Sequence, residues 1–378
     1  MSASAPSSAR PGAARGPQGR AGAPTSGGRS RATPGAVPTA SGRRRGRPVL
    51  VAAVLLALAA LVAAALLSLA VGSRGISPGV VVEALLAPDR SSTDHLVVLD
   101  LRLPRTVVGL VAGTALGLAG AVMQGLTRNP LADPGLLGVN AGAATAVVLA
   151  ISVLGVTSPG GYVWFALAGA AAAAVVVHLV AATGREGATP VKLTLAGAAV
   201  SALLLSLTTG VLVTDSATFD QFRFWQVGSL VGRDLSAVAA VLPLVAAGAL
   251  LALLLAPALD ALQLGDDVAR GLGQRTGAVR ALGALAAVLL CGGATALAGP
   301  IAFVGLAVPH LVRALTGPAH RWLLPLSALV APTLLLLADV LGRVVARPGE
   351  VQVGVVAALL GAPVLVALVR RRRGSLEL

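Results

Sequence analysis

The sequence predicts an all-α, polytopic membrane protein of about ten spans, and three observations carry that prediction. Only 12% of residues are charged while 56% are hydrophobic, against about 25% charged in a soluble globular domain. The apolar residues fall in long runs, most of them long enough to cross a hydrocarbon core at about 1.5 Å of rise per residue. The basic excess, a formal net charge of +14, is nearly all arginine. Much of it sits beside the terminal runs, in Arg43, Arg44, Arg45 and Arg47 and again in Arg370 to Arg373, which is the positive-inside pattern.

Taken in order, residues 1–48 are Ala, Pro, Gly, Ser and Arg without apolar periodicity. Such a segment buries too little surface to offset its ordering entropy, so a disordered cytosolic tail is expected there. The run 49–71 is long enough to span, and no small-residue cleavage site in a polar region follows it. It is read as an uncleaved first span with its N-terminus inside. Further spans are expected near 104–126, 136–155, 163–183, 192–213, 236–256, 280–298, 301–316, 322–346 and 354–370, making 49–373 one transmembrane domain with a short cytosolic tail over 374–378. An even number of spans puts both arginine-rich ends on one side. The inner loops then carry Arg128, Arg185, Arg270, Arg275, Arg280 and Arg321, while the outer loops mix Glu83, Asp89, Asp94 and Asp100 with Arg90, Arg102 and Arg105.

The same inventory excludes several functions. A pI near 11.7 would suit nucleic-acid binding, but 2% aromatic content leaves few stacking platforms. Cys291 is the only cysteine and there are four histidines, so no metal cluster, cofactor site or nucleophile–base pair is expected. No Gly-x-x-x-x-Gly-Lys-Ser/Thr motif is present, and Lys192, the only lysine, lacks its glycines. ATP hydrolysis, if used, belongs to another chain.

Within the second span Gly109, Gly113, Gly117, Ala121 and Gly125 recur every four residues. They line one helix face along which a neighbouring backbone can approach closely. Four other segments are more specific than connectors. Arg102-Leu103-Pro104-Arg105 puts two arginines about one turn apart on the outer side, suited to holding a partner's carboxylates or to anchoring the helix at the headgroups. Asn129-Pro130-Leu131-Ala132-Asp133-Pro134-Gly135 forces a non-helical break, either a gate or a rigid turn. Leu264 to Gly273 reads as a short glycine-bounded helix with Asp266 and Asp267 at its start, either a docking surface or an interfacial helix. Gly299-Pro300 breaks the chain again, and Pro309 falls inside the helix that follows.

These segments together resemble the permease subunits of the FecCD/BtuC class, importers of ferric siderophores, haem and cobalamin, from about Val49 to Arg373. The resemblance rests on Arg-Leu-Pro-Arg, on Gln124 to Gly138, and on Leu-Gly-x-x-x-Ala-x-x-Leu-Gly at Leu264–Gly273. It rests also on Gly-Pro-Ile-x-Phe-Val-Gly-Leu-x-x-Pro-His-x-x-Arg at Gly299–Arg313, Ala338-Asp339 with Arg343, and Gly361-Ala362-Pro363. The chain departs from the family at Glu350-Val351-Gln352, where a proline is common, and at Val364 and Leu365, where an aromatic is favoured.

The resemblance implies a type II ABC importer permease in the plasma or inner membrane, pairing with a second permease, identical or paralogous. Its other partners would be an ABC ATPase dimer, an extracytoplasmic solute-binding protein and a ferric chelate as substrate. It implies that Arg102, Arg105 and Arg343 receive acidic residues of the binding protein. Leu264, Gly265, Ala269, Leu272 and Gly273 would belong to the helix that seats in the ATPase. Asn129, Leu131, Thr189, Pro190 and Val191 match the cytosolic gate. The rival reading, an ion-coupled secondary transporter, needs a titratable group within a span, and Asp339 is its best candidate.

Overall fold

In a computed structural model, residues 47–72, 75–183 and 189–373 are described, and among them every regular element is a helix and none is a strand. The elements are α1 (Arg47–Ala70), α2 (Pro78–Leu86), α3 (Thr93–Leu96), a π-helical turn (Val97–Arg102), α4 (Leu103–Thr127), a 3-10 turn (Pro134–Leu137), α5 (Val139–Leu154), α6 (Pro159–Ala181) and α7 (Pro190–Thr214). Then follow α8 (Ser216–Gln226), α9 (Leu235–Leu254), α10 (Ala256–Gln263), α11 (Asp266–Gly271), α12 (Thr276–Ala298), α13 (Val304–Thr316), α14 (His320–Val345) and α15 (Val353–Arg373). Seven are long and apolar enough to cross a membrane, and three shorter ones, Val139–Leu154, Val304–Thr316 and Val353–Val364, are apolar too. These ten coincide with the ten expected spans. The tail expected over 1–48 lies outside the described residues up to 46, while Arg47 and Pro48 already belong to α1. The tail over 374–378 also lies outside them.

Burial sorts the helices into centre and rim. In α4 78% of the most apolar window is buried, against 17% in α1 and in α7. The small-residue face explains why α4 can stand at the centre. A methyl group added at Gly113 would lie 2.4 Å from Pro332 Cα, and one at Gly117 2.5 Å from the Ser327 carbonyl. At Gly109 it would meet Leu336, and at Gly125 His320. Along α4 the partners on α14 therefore run backwards, so the two helices are antiparallel and in backbone contact. Dispersion at such short range is what holds helices together where lipid supplies no hydrophobic drive.

That antiparallel pair defines two faces of the bundle. Where α1 ends, α4 begins and α14 ends, arginines gather; this is the arginine face. Where α4 ends and α14 begins stand α10 and α11; this is the α11 face. The breaks read from sequence are present. Arg128 has a left-handed φ of 52°, closing α4 ahead of the Asn129–Asp133 loop, and Gly299–Phe303 separates α12 from α13.

Four helices, the short α2, α3 and α10 and the longer α8, escaped the hydropathy reading. The α8 segment is amphipathic, not apolar. Asp215 Oδ1 accepts from the backbone N–H of Ala217 and Thr218, both at 3.1 Å, which starts the helix. Phe222 and Trp225 stack inward with centroids 5.7 Å apart. The α7 face above it is lined with small and hydroxyl side chains: Thr194, Ala198, Ala202, Ser206, Gly210 and Thr214 recur every four residues, all exposed.

Gly113→Ala is expected to destabilise the bundle by about 1–3 kcal/mol, the cost of overpacking a filled interface. Gly79→Ala, with open space around it, should leave the thermal midpoint in detergent unchanged.

Candidate functional site

A helix ends with unsatisfied carbonyls and a partial negative charge. The C-terminal end of α1 meets both with arginine. Arg102 Nη1 donates to the carbonyls of Leu69 at 2.8 Å and Ala70 at 2.7 Å. Arg343 Nη1 donates to Ser68 O at 2.7 Å and Val71 O at 2.9 Å. Two guanidiniums from two other helices thus close four consecutive carbonyls.

Beneath them sits Asp339, fully buried on α14. Arg105 grips it through Nε at 3.0 Å and Nη2 at 2.7 Å. Arg343 adds Nε at 3.0 Å and a very close Nη2 contact, and the same Nη2 donates to Ser68 Oγ at 2.9 Å. All five N–H groups of Arg343 are therefore engaged within the chain. Arg105 turns its remaining edge outward, where Nη1 donates to Glu350 Oε2 at 2.6 Å. The three arginines expected to meet a partner's carboxylates are brought together, but they are buried, and the carboxylate held in the fork of Arg105 is an internal one. They also line a cavity of about 680 Å³ together with Arg233, Asp234 and Glu350. Asp339, proposed for ion coupling by the rival reading, is locked between two guanidiniums.

At the opposite face α11 is braced against the bundle by one carboxylate. Asp266 accepts from Arg280 Nη2 at 2.7 and 2.9 Å and pairs with Arg128 at 3.3 Å. Partial burial works against ionisation of Asp266. The hydrogen bonds and charge of Arg280, with Arg128 and Arg270 nearby, outweigh it and hold the carboxyl below its ordinary value. Gly265 has φ 104° and Gly273 φ 82°, so both ends of the helix need the left-handed backbone that glycine adopts freely. Leu264, Val268 and Leu272, spaced by four, are exposed at 62%, 50% and 62%. Ala269 does not join them. It is fully buried and seats the helix on the body, while Val268 is exposed.

The residues matched to a gate lie close by. Asn129 Oδ1 accepts from Leu131 N at 3.0 Å, folding a tight turn that leaves Leu131 exposed. Thr189 caps α7 by accepting from Lys192 N at 3.4 Å, with Pro190 in the first turn and Val191 exposed. Gly197 of α7 lets the helix lie directly on the turn after Asn129–Asp133, since a methyl group there would be 1.8 Å from Leu136 O. A second cavity of about 680 Å³ has Thr189 and Leu193 on one side and Asp266, Arg270 and Arg280 on the other. Among the described residues no cluster of His, Cys, Asp and Glu could hold a metal ion.

The family model described as the FecCD transport family matches residues 60–371. The chain belongs to the FecCD transport family. Among its relatives, the ferric enterobactin transport system permease protein FepD of Escherichia coli (strain K12) is 51% identical over 82% of this chain and 93% of its own length. The iron(3+)-hydroxamate import system permease protein FhuB of Bacillus subtilis (strain 168) is 40% identical over 82% of this chain and 81% of its own. A solved structure described as an inward-facing metal-chelate type ABC transporter superposes with a TM-score of 0.73 at 27% identity, covering 85% of this chain and 99% of that one. As a FecCD family member the chain is a multi-pass membrane transport permease, the family its motifs resembled.

Three functional groups of this FecCD chain were not singled out by sequence reading. Glu350 was noted only as a departure from the family pattern. Arg233, whose Nε donates to Leu297 O at 2.7 Å, lines the arginine-face cavity. His320, fully buried at the start of α14, bonds Asp260 of α10 through both its backbone N–H and Nδ1 at 2.8 Å. Nothing in spacing marks these, because each partner lies at least 60 residues away.

Asp339→Asn removes the anion shared by two buried guanidiniums. Breaking a buried pair this way costs about 3–5 kcal/mol, so the variant should show a large fall in thermal midpoint in detergent. High salt should narrow the gap little, because the pair is buried.

Proposed function

We propose that this chain is the permease subunit of an ATP-driven importer of ferric siderophores. It would pair with a second permease, identical or paralogous. Two ATPase subunits would dock on the α11 face and a solute-binding protein on the arginine face. In this reading the α11 face looks into the cytosol, as do both termini, in keeping with the arginines at 43–47 and 370–373.

The observation that carries it is the exposed apolar surface made by Val268 of α11 with Leu264 and Leu272 at its two ends, on a helix that lies outside the ten apolar spans and is pinned by Asp266. Apolar surface held outside the spans in this way fits a protein contact. The chain has no P-loop of its own, which makes an ATPase the fitting occupant. A push on α11 has a short path inward, because Asp266 and Arg270 share a cavity with Thr189 at the start of α7. Closure of the ATPases on ATP would thereby reach Asn129, Leu131, Thr189, Pro190 and Val191 and switch access by rigid-body motion. The substrate class follows the relatives, named for ferric enterobactin and iron(3+)-hydroxamate. The exposed small and hydroxyl face of α7 suits a passage for a bulky chelate.

The test is uptake by a strain lacking this gene, offered labelled ferric siderophores, haem and cobalamin. Wild type should restore ferric siderophore uptake alone. A Leu264→Glu, Leu272→Glu double variant should insert normally, lose at least about tenfold of transport, and no longer copurify with an ATPase, as expected when apolar anchors of an interface are removed. Restoration of haem or cobalamin uptake instead would reassign the substrate. Full activity of the double variant would remove α11 from coupling.

A further inference from the structure

We propose that Glu350 is a built-in stand-in for a partner's carboxylate: it occupies the outward edge of Arg105 until an acidic residue of the solute-binding protein displaces it, and its departure loosens the connection into α15. The inference rests on the docking reading above and deepens it.

The three arginines of this face are not equivalent. Arg343 has every N–H engaged inside the chain, to Asp339, Ser68 and Val71. Arg102 directs Nη1 at the carbonyls of α1. Arg105 divides its guanidinium between a deep and a shallow anion. Its Nε and Nη2 edge holds Asp339, whose side chain is 1% exposed, and Nη1 holds Glu350, whose side chain is 29% exposed. Removing Asp339 would strand a buried charge, whereas Glu350 can leave into water at little cost. A carboxylate arriving through the cavity would replace one charge-assisted hydrogen bond by another of the same kind. The cavity of about 680 Å³ that both Arg105 and Glu350 line leaves room for an entering side chain.

The exchange would be felt in the chain because of where Glu350 sits. It lies on the connection from α14 to α15. That connection is tied down by Val351 N to Gly342 O at 3.1 Å, by Arg347 Nη2 to Gly72 O at 2.9 Å, and by the Glu350–Arg105 bond. The last of these is the tie to α4. Once it is exchanged for a partner's carboxylate, residues 346–352 lose this tie to α4 and keep those to α14, to the end of α1 and, through Gln352 O, to α15. Docking is thereby converted into a loosening of the connection ahead of α15, whose first turn stays held by Gly354 N to Gly228 O at 3.1 Å.

The probe is the solute-binding protein whose deletion abolishes the same uptake, purified and titrated onto the permease–ATPase complex in nanodiscs. If Glu350 holds Arg105 about nine-tenths of the time, Glu350→Gln should tighten binding about tenfold, because the competent fraction is no longer limiting. Glu350→Asp keeps the charge but draws it back by one methylene, and should tighten binding by less. Hydrogen exchange over 346–352 should rise in wild type when the binding protein is added, and should already be high in Glu350→Gln. Unchanged or weaker binding by both variants overturns the stand-in role. Separately, a binding protein with its surface carboxylates changed to amides should bind more weakly. If it binds as before, the docking reading itself fails, whatever Glu350 does.

Discussion

One carboxylate, Asp339, anchors the arginine face on which the ends of α1, α4 and α14 converge. A charge so deep is costly to desolvate, and it persists because two guanidiniums surround it. Those same guanidiniums are then fixed in place. One of them, with Arg102, closes the last carbonyls of α1, a helix that packs along α14 but is largely exposed on its other sides. The site and the fold are therefore not separable here. Arg105 and Arg343, which face the cavity, join α1, α4 and α14, and their positions are set by an anion that water does not reach.

The other end of the same two helices uses a milder device. His320 begins α14 with its backbone and its ring both on Asp260, so α10, which leads into α11, is tied to α14. Gly125 of α4 leaves the space that the imidazole fills. Between these two fastenings the helices are pressed together along the glycine face.

Much of this was legible in the sequence, for physical reasons that can be named. Spans announce themselves because lipid demands an unbroken apolar run with satisfied backbone, and all ten were found to within a few residues. The α4 stripe was legible because its spacing is a property of one helix, and α11 because two glycines bracket it. What was hidden depended on distance along the chain. That the carboxylate in the fork of Arg105 is Asp339 joins positions 234 apart, and that Glu350 completes it joins positions 245 apart. That Ala269 faces the body while Val268 faces out was also hidden, since a six-residue helix gives too short a pattern to fix which side is exposed. The α8 helix was passed over because it is not apolar, and a search tuned to spans reads such a segment as loop.

The glycine face of α4 has a consequence for how this gene can vary. Every single-nucleotide missense change in a glycine codon yields a larger residue: alanine, serine, cysteine, valine, arginine, aspartate, glutamate or tryptophan. At Gly113 and Gly117 even the smallest of these meets the backbone of α14 at less than 3 Å. The exposed leucines of α1, such as Leu55 and Leu56, can exchange for other apolar residues at little cost. Inherited variation in this permease should then be distributed by helix. It would be abundant in the outer helices and nearly absent from a narrow line down the middle of one, so that the line most hidden in the fold is the most visible in a collection of alleles.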